Sequence, residues 1–166
     1  MILGLDCSTV TCGWAMYNGQ SVVDAGFIDI SKLETNKEKA FFIIQEIGKH
    51  PDISLVSEVK LEAALSGFIR GRTSQQVVIK LARFNAVLEY VLGEHWSVPV
   101  RLVSANTARK AVLGKAFIKG MKAKEYVARE LPKHVPNLEK YNKLNKLGKC
   151  DKRNEDLRDA IIIAMS

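Results

Sequence analysis

The chain opens Met1-Ile2-Leu3-Gly4-Leu5-Asp6-Cys7-Ser8-Thr9-Val10-Thr11-Cys12-Gly13-Trp14-Ala15-Met16-Tyr17-Asn18-Gly19. The apolar run Ile2 to Leu5 is too short for a helix and is bounded by small and polar residues, so it reads as a buried strand. Asp6 falls at or near the end of that strand. A carboxylate there is unfavourable unless it is paired or bound to a cation. After the polar linker Ser8 to Thr11, Gly13 to Tyr17 gives a second apolar run. Asn18-Gly19 is a strong hairpin signal, because both residue types accept positive φ. Gln20 to Ile30 resumes a strand pattern. The opening is therefore strand, small loop, strand, tight turn, strand, with one acid beside the sheet edge.

Working outward, Thr35 and Glu38 form a capping box ahead of a helix over Asn36 to Lys49, with Ala40, Phe41, Ile44 and Ile47 expected to face the sheet. Pro51 stops it. Within Leu55 to Ala63 a strand is expected, in which Val59 and Leu61 alternate with Glu58, Lys60 and Glu62. Ser66 to Thr73 reads as a Gly-Arg loop. Thr73 and Gln76 box the start of a long helix, Ser74 to Leu92, whose wide apolar stripe can serve the sheet and a partner subunit. A short strand, Val98 to Val103, is expected beside the first strand. Ser104 caps a short helix through Val112, Gly114 to Gly120 is a basic loop, and Met121 to Leu131 is helical up to Pro132. Residues 133–153 read as a mobile basic loop. Asn154 is expected to cap the last helix, buried around Ala160 to Met165. A meander followed by strands joined through helices is an α/β domain with one mixed sheet.

Composition narrows the function. Of 166 residues 47% are apolar, enough for the core of a single domain spanning 1–166. No apolar stretch reaches bilayer-spanning length, and the start has no secretory pattern. Cys7, Cys12 and Cys150 are odd in number and lack CxxC spacing, which argues against a disulfide framework or zinc ribbon and for a reducing cytosol. Cys7 and Cys12 could share a metal but read better as small buried thiols. Net charge is +7. Between Arg101 and Arg153 stand fifteen Lys/Arg against four Asp/Glu, while the rest of the chain is net acidic. Such a field suits a phosphate backbone as partner.

The acids that can converge are Asp6, Glu58 or Glu62, Asp156 and Asp159. Phosphodiester cleavage with two metals needs acids from several elements around ions about 3.5–4 Å apart. Asp156 and Asp159 are three apart and share one helix face. Favourable placement of acids in a first helical turn accounts for Glu155 and Asp156, but less well for Asp159 beside the buried end. Of the two glutamates, Glu62 is favoured because it ends its strand; Glu58 has a plain reading as a solvent-facing acid.

Leu5-Asp6-Cys7-Ser8-Thr9 with Gly13-Trp14-Ala15 resembles the opening of RNase H-like proteins, and within them the RuvC-type Holliday junction resolvases and their phage relatives. Three further stretches are similar to that family: Thr73-Ser74-Gln75-Gln76, Leu81-Ala82-Arg83-Phe84-Asn85 and Asn154-Glu155-Asp156-Leu157-Arg158-Asp159-Ala160. The opening also resembles the phosphate loop of actin-like ATPases and sugar kinases, but those enzymes close two such domains over ATP. The resolvase resemblance covers nearly the whole chain. It implies an RNase H-like fold with a five-stranded sheet and a homodimeric endonuclease nicking four-way DNA junctions in a bacterial or phage-infected cytosol. It also implies Mg²⁺ (Mn²⁺ substituting) on Asp6, Glu62, Asp156 and Asp159. Expected phosphate contacts are Arg70, Arg72, Lys143, Lys146 and Lys149; Phe68 reads equally as a core plug or as a wedge on DNA, and the resemblance implies the wedge, stacking at the junction centre. The basic stretch 133–153 has no match in a RuvC core.

Overall fold

The computed structural model describes residues 1–64, 75–145 and 147–166. Phe68, Arg70, Arg72 and Lys146, and the Thr73 half of the second capping box, lie outside the described residues.

Five strands form one mixed sheet: β1 (Ile2–Cys7), β2 (Thr11–Tyr17), β3 (Val22–Asp29), β4 (Glu58–Glu62) and β5 (Val100–Val103), in the order β3-β2-β1-β4-β5. β1, β2 and β3 are an antiparallel meander, whereas β1–β4 and β4–β5 are parallel pairs. The final strand thus lies beside β4 rather than beside β1 as expected. The reason is that β1 has only two edges, and β2 and β4 take both. The Asn18-Gly19 hairpin is a four-residue turn. Only Gly19 takes positive φ, at 94°, while Asn18 Oδ1 accepts the N–H groups of Gln20 and Ser21.

Among the described residues five α-helices lie between and after the strands: α1 (Asn36–Gly48), α2 (Gln75–Trp96), α3 (Ala105–Leu113), α4 (Ala123–Glu130) and α5 (Asn154–Met165). The α1 capping box is present in both directions, between Thr35 and Glu38. Its buried stripe is Ala40, Ile43, Ile44 and Ile47, the i, i+3, i+4, i+7 set. Phe41, expected inside, is 47% exposed, one helical step off that stripe, with the Lys37 ammonium 6.0 Å from its ring.

Alternation along the strands divides the core in two. Leu3, Leu5, Cys7, Val59 and Leu61 join α1 and α2 on one face. On the other face lies α5, packed with Ala15, Val127 and Leu131. Cys7 and Cys12 pair across β1–β2 as buried free thiols, and burial pushes the Cys7 thiol up. They point away from the α5 face.

Two glycines set how near α5 comes. A Cβ on Gly4 would stand 2.4 Å from the Ala160 carbonyl oxygen, and one on Gly13 2.2 Å from that of Asp156. Both contacts are to backbone, so the absence of a side chain lets the helix lie directly on β1 and β2.

The stretch 133–153 contains more order than a plain basic loop. Pro132 sits inside a 3₁₀ turn, Leu131–Lys133, instead of ending the helix outright, and a second turn covers Leu138–Tyr141. Val135, Leu138 and Tyr141 are buried, and the Tyr141 hydroxyl donates to the Val22 carbonyl at 2.9 Å. Asn154 does not cap α5. It is the first helical residue, is buried, and exchanges two hydrogen bonds with the Lys143 backbone, at 3.0 and 2.8 Å.

Candidate active site

Register alone brings the first two acids together. Leu5 pairs with Leu61 across the parallel β1–β4 ladder, so the next residues, Asp6 and Glu62, stand side by side at the strand ends. Adjacent strands are about 4.8 Å apart, within carboxyl reach. Glu58 pairs with Ile2 at the opposite end of β4, where Arg101 lies 3.3 Å away. Even-numbered residues of β1 and β4 face α5, and that puts Asp6 and Glu62 under Asp156 and Asp159.

Burial pushes the Asp6 carboxyl well above the usual range, helped by the Glu62 hydrogen bond and by the charges of Glu62, Asp159 and Asp156. Asp156 is pushed up to about 6, chiefly by burial, against the opposing charge of Lys124. Asp159 is also raised by burial, in spite of Arg109. Four acids on three elements therefore sense one another.

Sequence reading missed the counter-ions. Arg109 of α3 forks onto Asp159: Nη2 donates to Oδ1 and Oδ2 at 2.9 and 3.0 Å, and Nε donates to Oδ1 at 3.3 Å. Both side chains are 13% exposed. Lys124 of α4 pairs with Glu155. Nothing in local sequence linked a lone arginine on a short helix to an acid fifty residues on. Asn85 was also missed as a site residue. It is buried, and its amide donates to the Glu62 carbonyl at 2.7 Å, tying the end of β4 to α2. Its Oδ1 has no partner among the described residues.

A cleft of about 960 Å³ opens where these elements meet. Asp6, Glu62 and Asn85 line it, together with Arg109, Phe117 and Lys122. Asp156 and Asp159 do not line it but lie behind, on α5. Lys143 and Lys149 do not line it either. The Lys143 ammonium lies 4.8 Å from the Phe27 ring on the β3 side, and Lys149 is exposed on the turn next to it. Among the described residues no three His, Cys, Asp or Glu side chains stand grouped as a ready metal cage.

The raised carboxyls have a consequence for stability. A carboxyl with a raised folded-state pKa favours the folded state when protonated. That stabilisation is fully present below the unfolded value and is lost as pH rises through the folded one; for Asp156 the window runs from about 4 to about 6. With divalent ions chelated, the melting temperature should fall by about 2 °C between pH 5 and pH 7.5, taking under about 1 kcal/mol because water screens the half-buried carboxyl, at about 2–4 °C per kcal/mol at this size. Asp156→Asn should flatten the curve. A melting temperature that climbs across this interval would contradict the raised values.

The fold is the one seen in solved structures of RuvC and of a yeast mitochondrial Holliday junction resolvase. The structure of Thermus thermophilus RuvC aligns with 99% of this chain and 90% of its own, at TM-score 0.61 and 17% identity. T. thermophilus RuvC in complex with Holliday junction substrate aligns at TM-score 0.62 and 15% identity, covering 99% of this chain and 89% of that one. The yeast mitochondrial Holliday junction resolvase Ydc2 gives TM-score 0.59, 13% identity, and 99% and 75% coverage. No protein-family profile matches the sequence, and no curated protein does.

Proposed function

We propose that the protein is a metal-dependent endonuclease that resolves four-way DNA junctions by paired nicks. The observation that carries this reading is the meeting of Asp6 and Glu62 at the mouth of the cleft, on the resolvase fold, with Asp156 and Asp159 close behind. One structural neighbour was solved bound to a Holliday junction substrate.

The donor chemistry fits Mg²⁺ or Mn²⁺. Carboxylates crowded enough to raise one another's pKa need either protons or a cation, and hard divalent ions take oxygen ligands. The unpartnered Asn85 Oδ1 adds a neutral oxygen beside them. Asp6 and Glu62 would hold the metal from the sheet, and Asp156 and Asp159 from α5. Two bound ions would activate the attacking water and stabilise the leaving oxygen. The chain's own residues set the geometry: Asn85 fixes the end of β4, Arg109 orients Asp159, and the glycines seat α5. Phosphate contacts would come from Arg70, Arg72, Lys143, Lys146 and Lys149, with Phe68 stacking at the junction.

Two symmetric nicks need two sites, and a twofold dimer is the simplest way to provide them. The outward face of α2 is the proposed interface: Ile79 is 42% and Tyr90 69% exposed, while Phe84, Leu88 and Leu92 face the core.

End-labelled junction, flap, duplex and single-stranded DNA, each with Mg²⁺ and with chelator, test the reading, alongside light scattering. Paired nicks confined to branched DNA, lost on chelation, and a dimeric mass are expected, with ATP left intact. An uncut junction in both Mg²⁺ and Mn²⁺ would refute it.

A further inference from the structure

The connection between α3 and α4, residues 114–122, turns at Gly114 and Gly120, with φ of 78° and 85°. Between them Phe117 is 65% exposed. A ring so exposed fills no core space, and leaving it in water forgoes the benefit of burial. Phe117 nonetheless lines the same cleft as Asp6 and Glu62, with Met121 and Lys122 beside it. The connection carries Lys115, Lys119 and Lys122 and no acid. Lys115, Lys119 and Lys122 are all exposed. Among the described residues Lys115 and Lys119 have no acidic partner, and Lys122 reaches Glu125 only at 4.0 Å.

The lining of the cleft therefore combines the carboxylates of Asp6 and Glu62 with the exposed Phe117 ring, and the connection that carries the ring adds Lys115 and Lys119 two residues to either side of it. A free phosphate would use the lysines but not the ring, and an apolar ligand would use the ring but not the lysines. A nucleotide within a strand uses both, because its base has a π-face and its phosphates carry charge.

We infer that Phe117 stacks on an unpaired base of the strand being cut, while Lys115 and Lys119 hold the phosphates on either side of that base. This rests on the nuclease reading and adds to it: Phe117 sets which base is accepted next to the scissile phosphate. The residue is a specificity determinant, acting within the cleft that the acids line.

The test uses four-way junctions carrying 5-iodouracil at single positions around the nick, bound in Ca²⁺ and irradiated, with the crosslinked peptide identified by mass spectrometry. Crosslinking to Phe117 is expected in the wild type and in Phe117→Tyr, and its loss in Phe117→Ala. Phe117→Ala should weaken junction binding roughly 5- to 150-fold, the span of one lost base stack, and should even out the choice of cleavage position. Its melting temperature should stay at the wild-type value, because the ring supports no core. Replacing Lys115 and Lys119 together with Ala should lower the log–log salt slope by about two. If wild type cuts junctions but crosslinks map elsewhere, or Phe117→Ala matches it in affinity and cleavage positions, the inference fails while the nuclease reading stands. If wild type neither binds nor cuts the junction, both fail.

Discussion

Asp6→Asn should abolish junction cleavage and at the same time raise the melting temperature. The carboxylate sits at the end of β1 beside Glu62, with the charges of Asp156 and Asp159 adding to the repulsion. Asparagine keeps the shape and removes a charge that burial and three neighbouring acids disfavour. Near pH 7.5 without divalent ions, the melting temperature should rise, since burial and the neighbouring acids both disfavour the charged carboxylate. Cleavage should fall by more than the 10–100-fold that losing an outer hydrogen-bond partner of a metal ligand costs. Junction affinity should hold or improve, since one charge repelling the phosphates is gone. Glu62→Gln should behave in the same way. Glu58→Gln should stay active, because Glu58 stands at the far end of β4 against Arg101. Combined acid variants should lose no more than the worst single one, as groups acting together do. Nicking assays paired with melting curves read all of this. An Asp6→Asn enzyme cutting at the wild-type rate would end the nuclease proposal.

Gly13→Ala is expected to destabilise the protein more than any other single methyl addition outside Gly4. The new Cβ would lie 2.2 Å from the Asp156 oxygen, 2.3 Å from its carbonyl carbon and 2.7 Å from the Leu157 nitrogen. None of these is a flexible side-chain end. Either α5 lifts, unpacking Leu157, Ala160 and Ile161 from the sheet, or the strand shifts and takes Asp6, its register partner, with it. Overpacking of this kind costs about 3 kcal/mol or more, hence a fall of about 10 °C. Activity should drop further than stability explains, since Asp156 and Asp159 ride on the displaced helix. Gly48→Ala is the control. Nothing lies within 4 Å of its Cβ, and it should melt at or slightly above the wild-type temperature. A Gly13→Ala protein melting within a degree of wild type would show that the helix does not rest on that glycine.

Much of the fold was legible because its signals are local. The meander shows in two short apolar runs and a turn dipeptide, and α1 in a capping box and a four-residue period. The candidate acids were also legible as residues at the ends of such elements. Errors came where one helical step or one strand edge decided the outcome. Phe41 and Ile43 are equally apolar neighbours, and only the exact face of α1 on the sheet selects Ile43. Asn154 looks like a cap in sequence, yet the loop packed on it draws its side chain to Lys143.

By itself the sequence determined which segments are strands and helices, which faces are apolar, and that acids end β1, β4 and the first turns of α5. Periodicity and capping act over a few residues, so the chain carries them wherever it is read. Tertiary structure alone decided that Glu62, and not Glu58, stands next to Asp6, because parallel register is fixed between strands far apart in sequence. It alone matched Arg109 to Asp159, placed Phe117 in the same cleft as Asp6 and Glu62, and gave Gly4 and Gly13 their meaning. In each case the deciding contact joins residues that no local pattern connects, and it exists only once the sheet and α5 have closed on each other.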